Sequence, residues 1–322
     1  MQRFQSFWFG DDLPPYQRLA MKSFVDFGHD YVLYAYRKFD VPAGVVLRDA
    51  NEILPQSRIF FYGERAETGQ GSVSAFSNLF RYHLLHELGG WWVDTDVICL
   101  SAAIPSSEIF MGWEYDDLIG SAILKFSAGH GFVRELRDVA ERAGTDLEWG
   151  TTGPFLLTRL VGERDLLGSV SPQPFAYPLQ SRDAVHLLIP ARRDEIRERI
   201  RNSPFLHMWN EILRRAVVFP WMAPPPGSLI AELFERHGIG FGNAPVYTAQ
   251  QVQRLNDNYY TFTYWDWDRK QLTLAQSQLA EAKAETAWLH KKLGEIRQSP
   301  SWRITAPVRE MERFLRRLRR GR

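Results

Sequence analysis

The most restrictive feature of this sequence is the alternation of short apolar runs with helical patterns over its first hundred residues. An aromatic run stops at Gly10, and a helical pattern over residues 15–27 stops at Gly28. Residues 31–36 are rich in aromatic and β-branched side chains, which favour strands. A strand, a helix and a second strand form a crossover unit, so we expect an α/β fold with a mainly parallel sheet flanked by helices.

The same alternation continues to residue 100. Residues 58–62 predict a third strand, and residues 72–88 form a helical pattern with apolar side chains on one side. Gly89 and Gly90 end that helix, and residues 91–100 predict a strand that runs out of it. Further along, we expect helices over residues 131–143 and 192–201.

Composition excludes several classes of protein. The chain has 322 residues, 45% hydrophobic and 24% charged, which is typical of a globular protein with a real core. A formal net charge of +1 argues against a nucleic-acid binder. The single cysteine, Cys99, lies in an apolar run, so we expect it to fill the core without a disulfide. No signal-peptide pattern or apolar membrane span is evident, and we expect a cytoplasmic protein.

The composition changes abruptly near residue 268. We therefore expect a globular domain over residues 1–268 and a helical extension over residues 269–322. A heptad pattern in this extension predicts either a coiled coil, which would join two copies of the chain, or a long helix folded back on the domain. Its two core positions hold Leu272, Leu279, Thr286 and Leu293, and Ala275, Ala282, Leu289 and Ile296.

The last residues are strongly basic. Residues 302–322 contain eight arginines and two glutamates, and the arginines alternate with apolar side chains such as Phe314 and Leu318. A basic amphipathic segment of this kind predicts contact with an anionic membrane surface or an acidic partner. A solvated helix end is the alternative interpretation. Membrane contact would place the protein at the inner face of the membrane.

Two Asp-x-Asp pairs are candidates for chemistry. Asp94 and Asp96 lie at the end of an apolar strand, where both carboxylates would share a face and hold one divalent cation. Ligands gather at the carboxyl ends of strands in such sheets. Asp266 and Asp268 instead come just before the heptads, and Asp268 with Gln271 predicts a helix cap.

The region around Asp94 resembles the sugar-binding block of retaining glycosyltransferases with the DXD motif. That family includes α-1,4-galactosyltransferases, initiating mannosyltransferases and bacterial capsule enzymes. The matching residues are Ser77-Asn78-Leu79-Phe80-Arg81-Tyr82, Leu85, Gly89-Gly90 and Val93-Asp94-Thr95-Asp96-Val97. Three further segments are similar to family motifs: Phe7-Trp8-Phe9-Gly10, Thr152-Gly153-Pro154 and His207-Met208-Trp209-Asn210.

The resemblance implies a GT-A-type nucleotide-sugar-binding fold and metal-dependent transfer of a sugar from a nucleotide sugar, expected to be UDP-linked. The acceptor would be a glycan or a lipid-linked glycan in bacterial surface polysaccharide assembly, and the anomeric configuration would be retained. Asp96 is the expected ligand of Mn²⁺ or Mg²⁺. Asp94 would contact the ribose, the sugar or a metal-bound water, and Arg81 would bond sugar hydroxyls or a phosphate oxygen.

The remaining donor residues follow from the same resemblance. Trp8 would stack on a uracil ring, although a core tryptophan is an alternative. Ser77 and Asn78 would face the sugar, and Asn78 stands where the family has Asp, so it can bond a hydroxyl but carries no charge. His207 would complete the metal site or touch the diphosphate, unless it is a core histidine.

Three other interpretations stay open on the sequence. Glu114, Asp116 and Asp117 either line the acceptor side or form a solvated loop. Asp94 and Asp96 would be an unusual acid/base pair for a hydrolase, because they face the same way. A non-catalytic subunit that acts through its coiled coil and basic tail is the main alternative to an enzyme.

Overall fold

A computed structural model describes residues 1–64 and 70–304 of the chain, with the side chains of residues 264–268, 270, 271, 274 and 303 left aside. The chain divides into two compact units, Met1–Tyr259 and Tyr260–Arg322. The first unit contains all the strands described below. The basic tail predicted at the C-terminus lies outside the described residues from residue 305 onward, and it stays a prediction.

The first unit has nine described strands. They are β1 (Arg3–Trp8), β2 (Asp30–Ala35), β3 (Val45–Asp49), β4 (Gly90–Val93), β5 (Val97–Cys99), β6 (Phe110–Tyr115), β7 (Leu118–Phe126), β8 (Val170–Ser171) and β9 (Phe205–His207).

Ten α-helices alternate with these strands or follow them. They are α1 (Pro15–Asp26), α2 (Ser74–Leu88), α3 (Gly131–Ala143), α4 (Pro154–Glu163), α5 (Gln173–Ala176), α6 (Arg193–Ile200), α7 (Asn210–Arg215), α8 (Leu229–Arg236), α9 (Ala249–Gln298) and α10 (Pro300–Ile304). Short 3-10 helices occur at Ala50–Glu52, Gln56–Arg58, Leu167–Ser169, Ser181–Leu188 and Pro190–Arg192.

Seven strands form one sheet in the order β3-β2-β1-β4-β7-β6-β8. The strands β3, β2, β1 and β4 are parallel to one another, β7 is antiparallel to both β4 and β6, and β8 is parallel to β6. β5 and β9 form a separate antiparallel pair. The predicted α/β fold with a mainly parallel sheet and flanking helices is therefore confirmed.

Alternating side chains of the central strands build a core on each face of the sheet. On one face, Phe4 packs on Phe24 of α1 with ring centroids 4.4 Å apart. On the other, Phe7 stacks on Phe80 of α2 at 4.5 Å. Cys99 is a buried free thiol, as predicted, and burial raises its pKa to about 12.

The prediction of a third strand over residues 58–62 is wrong. That segment is a 3-10 helix followed by irregular chain, and its aromatic rings make contacts with other elements instead of joining a ladder. Phe60 meets Phe76 edge-on at 6.0 Å, and Phe61 meets Phe9 at 5.6 Å. The third parallel strand is β3, which lies at the sheet edge and leaves Val46 54% exposed.

The helix α9 is much longer than the heptad pattern. It begins at Ala249, so Asp266 and Asp268 lie within it and the predicted cap at Asp268 is wrong. Thr248 and Gln251 cap the helix instead, because Gln251 N–H donates to Thr248 Oγ1 (3.1 Å) and Thr248 N–H donates to Gln251 Oε1 (2.8 Å).

The heptad leucines are exposed along α9. Leu272, Leu279 and Leu289 are 60%, 54% and 52% exposed, and the helix ends at Gln298. The coiled coil itself stays a prediction. Within the described residues, none of the helices has the length and apolar character needed to cross a membrane.

Candidate active site

A cleft of about 670 Å³ opens at the carboxyl ends of β1 and β4. Trp8 ends β1, and Asp94, Thr95 and Asp96 follow β4. Phe7 and Trp92 also line it, and the other lining residues are Phe61 and members of residues 9–17, 70–77 and 210–220. Because ligands bind at the carboxyl ends of the strands in such sheets, the acidic pair lies where a ligand is expected.

The acidic pair lies on a turn rather than along one strand. β4 ends at Val93 and β5 begins at Val97, whose N–H donates to the carbonyl of Asp94 (3.1 Å). The single strand predicted over residues 91–100 is therefore wrong. β5 leaves the main sheet because its partner is β9, with Val97 opposite His207. This pairing brings a distant histidine beside the two carboxylates.

Gly89, between α2 and β4, is required by close packing. Gly89 ends α2 with φ +63°, and a Cβ on it would lie 2.4 Å from the backbone nitrogen of Ala128. Only glycine combines this backbone conformation with so close an approach. The helix can therefore return directly into β4, which delivers Asp94 to the cleft.

Two side chains donate hydrogen bonds to the same carboxylate oxygen of Asp94. Arg81 Nη2 donates to Asp94 Oδ1 at 2.6 Å, and Trp92 Nε1 donates to the same oxygen at 2.7 Å. The Arg81 guanidinium also lies over the Trp92 ring, 4.9 Å from its centroid. Arg81 is only 2% exposed. It therefore orients Asp94 from a buried position, and its predicted contact with a sugar or phosphate stays a prediction.

Asn78 extends this buried support. Its Oδ1 accepts from Arg81 Nη1 at 2.7 Å, and its Nδ2 faces Thr152 Oγ1 at 3.5 Å. A Cβ on Gly153 would lie 2.9 Å from Asn78 Nδ2, so the Thr-Gly-Pro turn packs tightly against this amide. Asn78 is 8% exposed, which places it behind Arg81 and links two segments that the family resemblance had singled out separately.

Asp96 and His207 form a close pair, in which His207 is buried and Asp96 is partly buried. His207 Nε2 lies 3.2 Å from Asp96 Oδ1, and the N–H of Asn210 donates to Asp96 Oδ2 at 2.9 Å. Burial raises the pKa of Asp96, but the charge and hydrogen bond of His207 and the Asn210 N–H bring that pKa below its usual value. Burial lowers the pKa of His207, and the Asp96 charge and hydrogen bond raise it above the usual value.

Asp94, Asp96 and His207 together fit a divalent cation. One potential ligand atom from each lies within 4.8 Å of the others. Two carboxylates and an imidazole are oxygen and nitrogen donors that suit Mn²⁺, and the carboxylates also suit Mg²⁺. The two aspartates line the cleft, whereas His207 is 8% exposed and approaches from the β9 side. Three protein ligands leave coordination positions for a ligand in the cleft.

Two further predicted donor residues line the cleft. Trp8 is half-buried on the cleft wall, and its Nε1 donates to the carbonyl of Asp12 (3.0 Å), which fixes the plane of the ring. Its indole also lies over Gly10, where a Cβ would come within 3.0 Å of Nε1. Ser77 lines the same cleft from α2. A flat aromatic face and a hydroxyl are thus presented to the same space as the acidic pair.

The structure separates Glu114 from the two aspartates that follow it. Glu114 lies in β6, and burial raises its pKa to about 7. The charge of His207 lowers this pKa and that of Asp94 raises it, which shows that Glu114 belongs to the same electrostatic environment. Asp116 and Asp117 are exposed in the turn before β7.

Sequence reasoning missed the wall formed by residues 211–220. Leu213, Arg214, Val218 and Pro220 all line the cleft, although these residues belong to none of the family motifs. The usable signal is their position directly after His207, because a segment that follows a site residue tends to border the same site. The hydrogen bond from Trp92 to Asp94 was also not predicted, because Trp92 lies in an apolar run that indicates only a buried strand.

No protein-family model and no curated protein matches this chain. Solved structures that are similar to parts of it include two glycosyltransferases. One is described as PaToxG Glycosyltransferase, with 10% identity, 51% of this chain and 69% of that chain covered, and a TM-score of 0.38. The other is a glycosyltransferase involved in the glycosylation of the major capsid of PBCV-1, with 12% identity, 66% and 96% coverage, and a TM-score of 0.35. Because both TM-scores are below 0.5, the function proposed below rests on the residues of the site.

Proposed function

We propose that this protein is a metal-dependent glycosyltransferase that takes a sugar from a nucleotide sugar. The observation that carries the proposal is the convergence of Asp94, Asp96 and His207 within 4.8 Å beside an aromatic-walled cleft. The sequence block that resembles DXD-motif glycosyltransferases supports the same conclusion, because its parts meet in space: Arg81 bonds Asp94, and Asn78 bonds Arg81.

The residues of the cleft suit a nucleoside diphosphate. A divalent cation bound by Asp96, Asp94 and His207 would neutralise the charge that develops on the departing diphosphate. Trp8 offers its ring to a base, and Ser77 offers a hydroxyl to the ribose or sugar. Arg81 and Trp92 keep Asp94 Oδ1 occupied, so the orientation of this carboxylate is fixed before a ligand arrives.

We propose UDP-sugars as donors and Mn²⁺ or Mg²⁺ as the cation, with retention of anomeric configuration. The acceptor would be a glycan or lipid-linked glycan in bacterial surface polysaccharide assembly, on the cytoplasmic side of the membrane. The exposed leucines of α9 support a further proposal, that the heptad helix pairs with the same helix of a second copy.

Donor hydrolysis tests the proposed activity directly. The purified chain is incubated with UDP- and GDP-sugars in the presence of Mn²⁺ or a chelator, and release of the nucleotide is measured. We expect release from one UDP-sugar, lost with the chelator and with Asp96→Ala. Asp40→Ala is the matched control, because Asp40 is exposed, pairs with Arg18 and lies outside the cleft lining.

A second measurement separates the enzyme from the non-catalytic alternative. Mn²⁺ binding is followed by titration calorimetry for the unaltered chain and for Asp96→Ala. Metal binding that depends on Asp96, without hydrolysis of any donor or transfer to any acceptor, would favour a non-catalytic subunit. Hydrolysis that persists in Asp96→Ala with chelator present would refute the metal-dependent mechanism.

A further inference from the structure

Four large apolar side chains are exposed beside the cleft. Val217, Phe219 and Trp221 are 54%, 57% and 49% exposed, and Val246 is 52% exposed on the adjoining segment. We call these four residues the apolar rim. The residues that alternate with them, Val218 and Pro220, line the cleft itself. One short segment thus forms part of the cleft wall on one side and an apolar surface on the other.

Hydrogen bonds hold the apolar rim in place. The N–H of Phe219 donates to Tyr247 Oη at 2.9 Å. The N–H of Ala223 donates to the carbonyl of Pro245, and the N–H of Tyr247 donates back to the carbonyl of Ala223, both at 2.9 Å. These bonds tie the two segments side by side, so the apolar side chains are fixed in their exposed positions.

Val217 is exposed at an energetic cost. Its φ is +61°, in the left-handed region, where a β-branched residue is disfavoured by about 1–2 kcal/mol. Glycine would adopt this conformation without that cost. The fold therefore places a branched apolar side chain in solvent at a position where glycine would be more stable, which is expected of a surface that has a partner.

The charge around the apolar rim indicates what kind of partner it has. Residues 212–231 contain Arg214 and Arg215 and no acidic residue, and residues 237–256 contain Arg254 and no acidic residue. Glu211 pairs with both Arg214 and Arg215, which leaves that cluster with one net positive charge. Apolar and aromatic side chains beside a net positive charge are typical of surfaces that contact anionic lipid.

The side chains of the rim also disfavour a polar partner. Residues 216–226 offer a single side-chain hydrogen-bond donor, the indole N–H of Trp221, and no side-chain oxygen. Recognition of a glycan or of a typical protein surface would require several such groups. Tryptophan is, by contrast, enriched at the boundary between lipid headgroups and acyl chains.

We propose that the apolar rim inserts into the surface of an anionic lipid bilayer. The cleft then opens at the membrane, where a lipid-linked acceptor would be presented. The presentation of an acceptor rests on the proposed glycosyltransferase function, whereas membrane docking does not. The docking surface is formed by residues of the first compact unit, whereas the residues of the basic tail belong to the second. It therefore adds a contact at the cleft itself to any contact that the tail makes.

A position-specific label tests the insertion. Cys99 is the single cysteine of the chain and is buried, so a cysteine introduced by Trp221→Cys can be labelled alone with an environment-sensitive fluorophore. Leu167→Cys, at a site 48% exposed outside the cleft lining, is the matched control. With phosphatidylglycerol-containing vesicles and the full-length chain, we expect a blue shift and brighter emission at position 221 and no change at position 167.

Vesicle co-sedimentation provides the second readout. We expect Phe219→Ser with Trp221→Ser to weaken binding to these vesicles by about tenfold or more, since two aromatic side chains that would be buried in the bilayer are lost. Leu88→Ser with Leu167→Ser removes two equally exposed leucines and should leave binding unchanged. If the chain sediments with vesicles while the label at position 221 still reports water, the tail alone makes the contact and the proposal is overturned.

The two proposals fail separately. These assays use no donor and no metal, and Asp96→Ala should bind vesicles as the unaltered chain does. Loss of donor hydrolysis therefore leaves the docking result intact. Conversely, if neither labelled chain nor unaltered chain binds anionic vesicles, docking is refuted, whatever the outcome of the hydrolysis assay.

Discussion

Glu114 gives a quantitative prediction about stability. Burial raises its pKa from 4.5 to about 7, so the folded chain binds a proton more tightly than the unfolded chain does. Stability is then highest below the unfolded pKa, falls as the pH rises from 4.5 to 7, and stays reduced above it. Each pKa unit corresponds to about 1.4 kcal/mol, so the ionised carboxylate costs ~3 kcal/mol at pH 8.

Replacing this carboxyl group with an amide removes the cost. We expect Glu114→Gln to unfold at a temperature several degrees above that of the unaltered chain at pH 8, and at nearly the same temperature at pH 4.5. Thermal unfolding is followed by circular dichroism in the presence of a chelator, so that no cation adds its own charge. Asp117→Asn, at an exposed position three residues on, is the control and should show no such difference. A stability gain that is equal at all pH values would refute this reasoning.

Three further predictions follow from the site and the extension. Arg81→Met should destabilise the fold by about 3–5 kcal/mol, and Asp94→Asn should destabilise it by less. A double-mutant cycle of these two substitutions, measured by urea unfolding, should give a coupling energy of about 1–3 kcal/mol. Strict additivity of the two effects would contradict the observed ion pair. Gly153→Ala should lower the unfolding temperature because its Cβ would lie 2.9 Å from a buried amide nitrogen, whereas Gly162→Ala meets nothing within 4 Å and should be neutral or stabilising. Leu279→Glu should convert any dimer to a monomer in light scattering after size-exclusion chromatography, and an unchanged mass would exclude the heptad face as the interface.

Much of the fold was predictable where one local pattern dominates. The helical pattern at residues 131–143 corresponds to α3 at both ends, because Gly131 and Gly144 bracket a regular apolar stripe. The edge strand β3 was missed because half-exposed residues such as Arg48 carry no clear alternation. The cap of α9 was predicted at the wrong place because Asp268 and Gln271 have the spacing of a capping box, and Thr248 and Gln251 have the same spacing.

The candidate site was predictable in its residues but not in its geometry. Asp94, Asp96 and His207 were each marked by their sequence context, and the structure brings them together. The turn between β4 and β5 was hidden because residues 91–100 are apolar on both sides of the acidic pair, which is typical of one buried strand. Burial of Arg81 was equally hidden, since a sequence does not show that Asn78 and Trp92 enclose a guanidinium.

The pairing of β5 with β9 has a consequence for how the site forms. Asp96 and Asn210 lie 114 residues apart, so the hydrogen bond from the Asn210 N–H to the Asp96 carboxylate closes a loop of that length. Contacts of such long sequence separation are slow to form, because the entropy of closing the loop is lost before any contact is gained. A cation held between Asp96 and His207 would bridge both ends of that loop. The affinity for the metal would then report the completeness of folding, and a chain that has its central sheet but lacks β9 would still be unable to bind it.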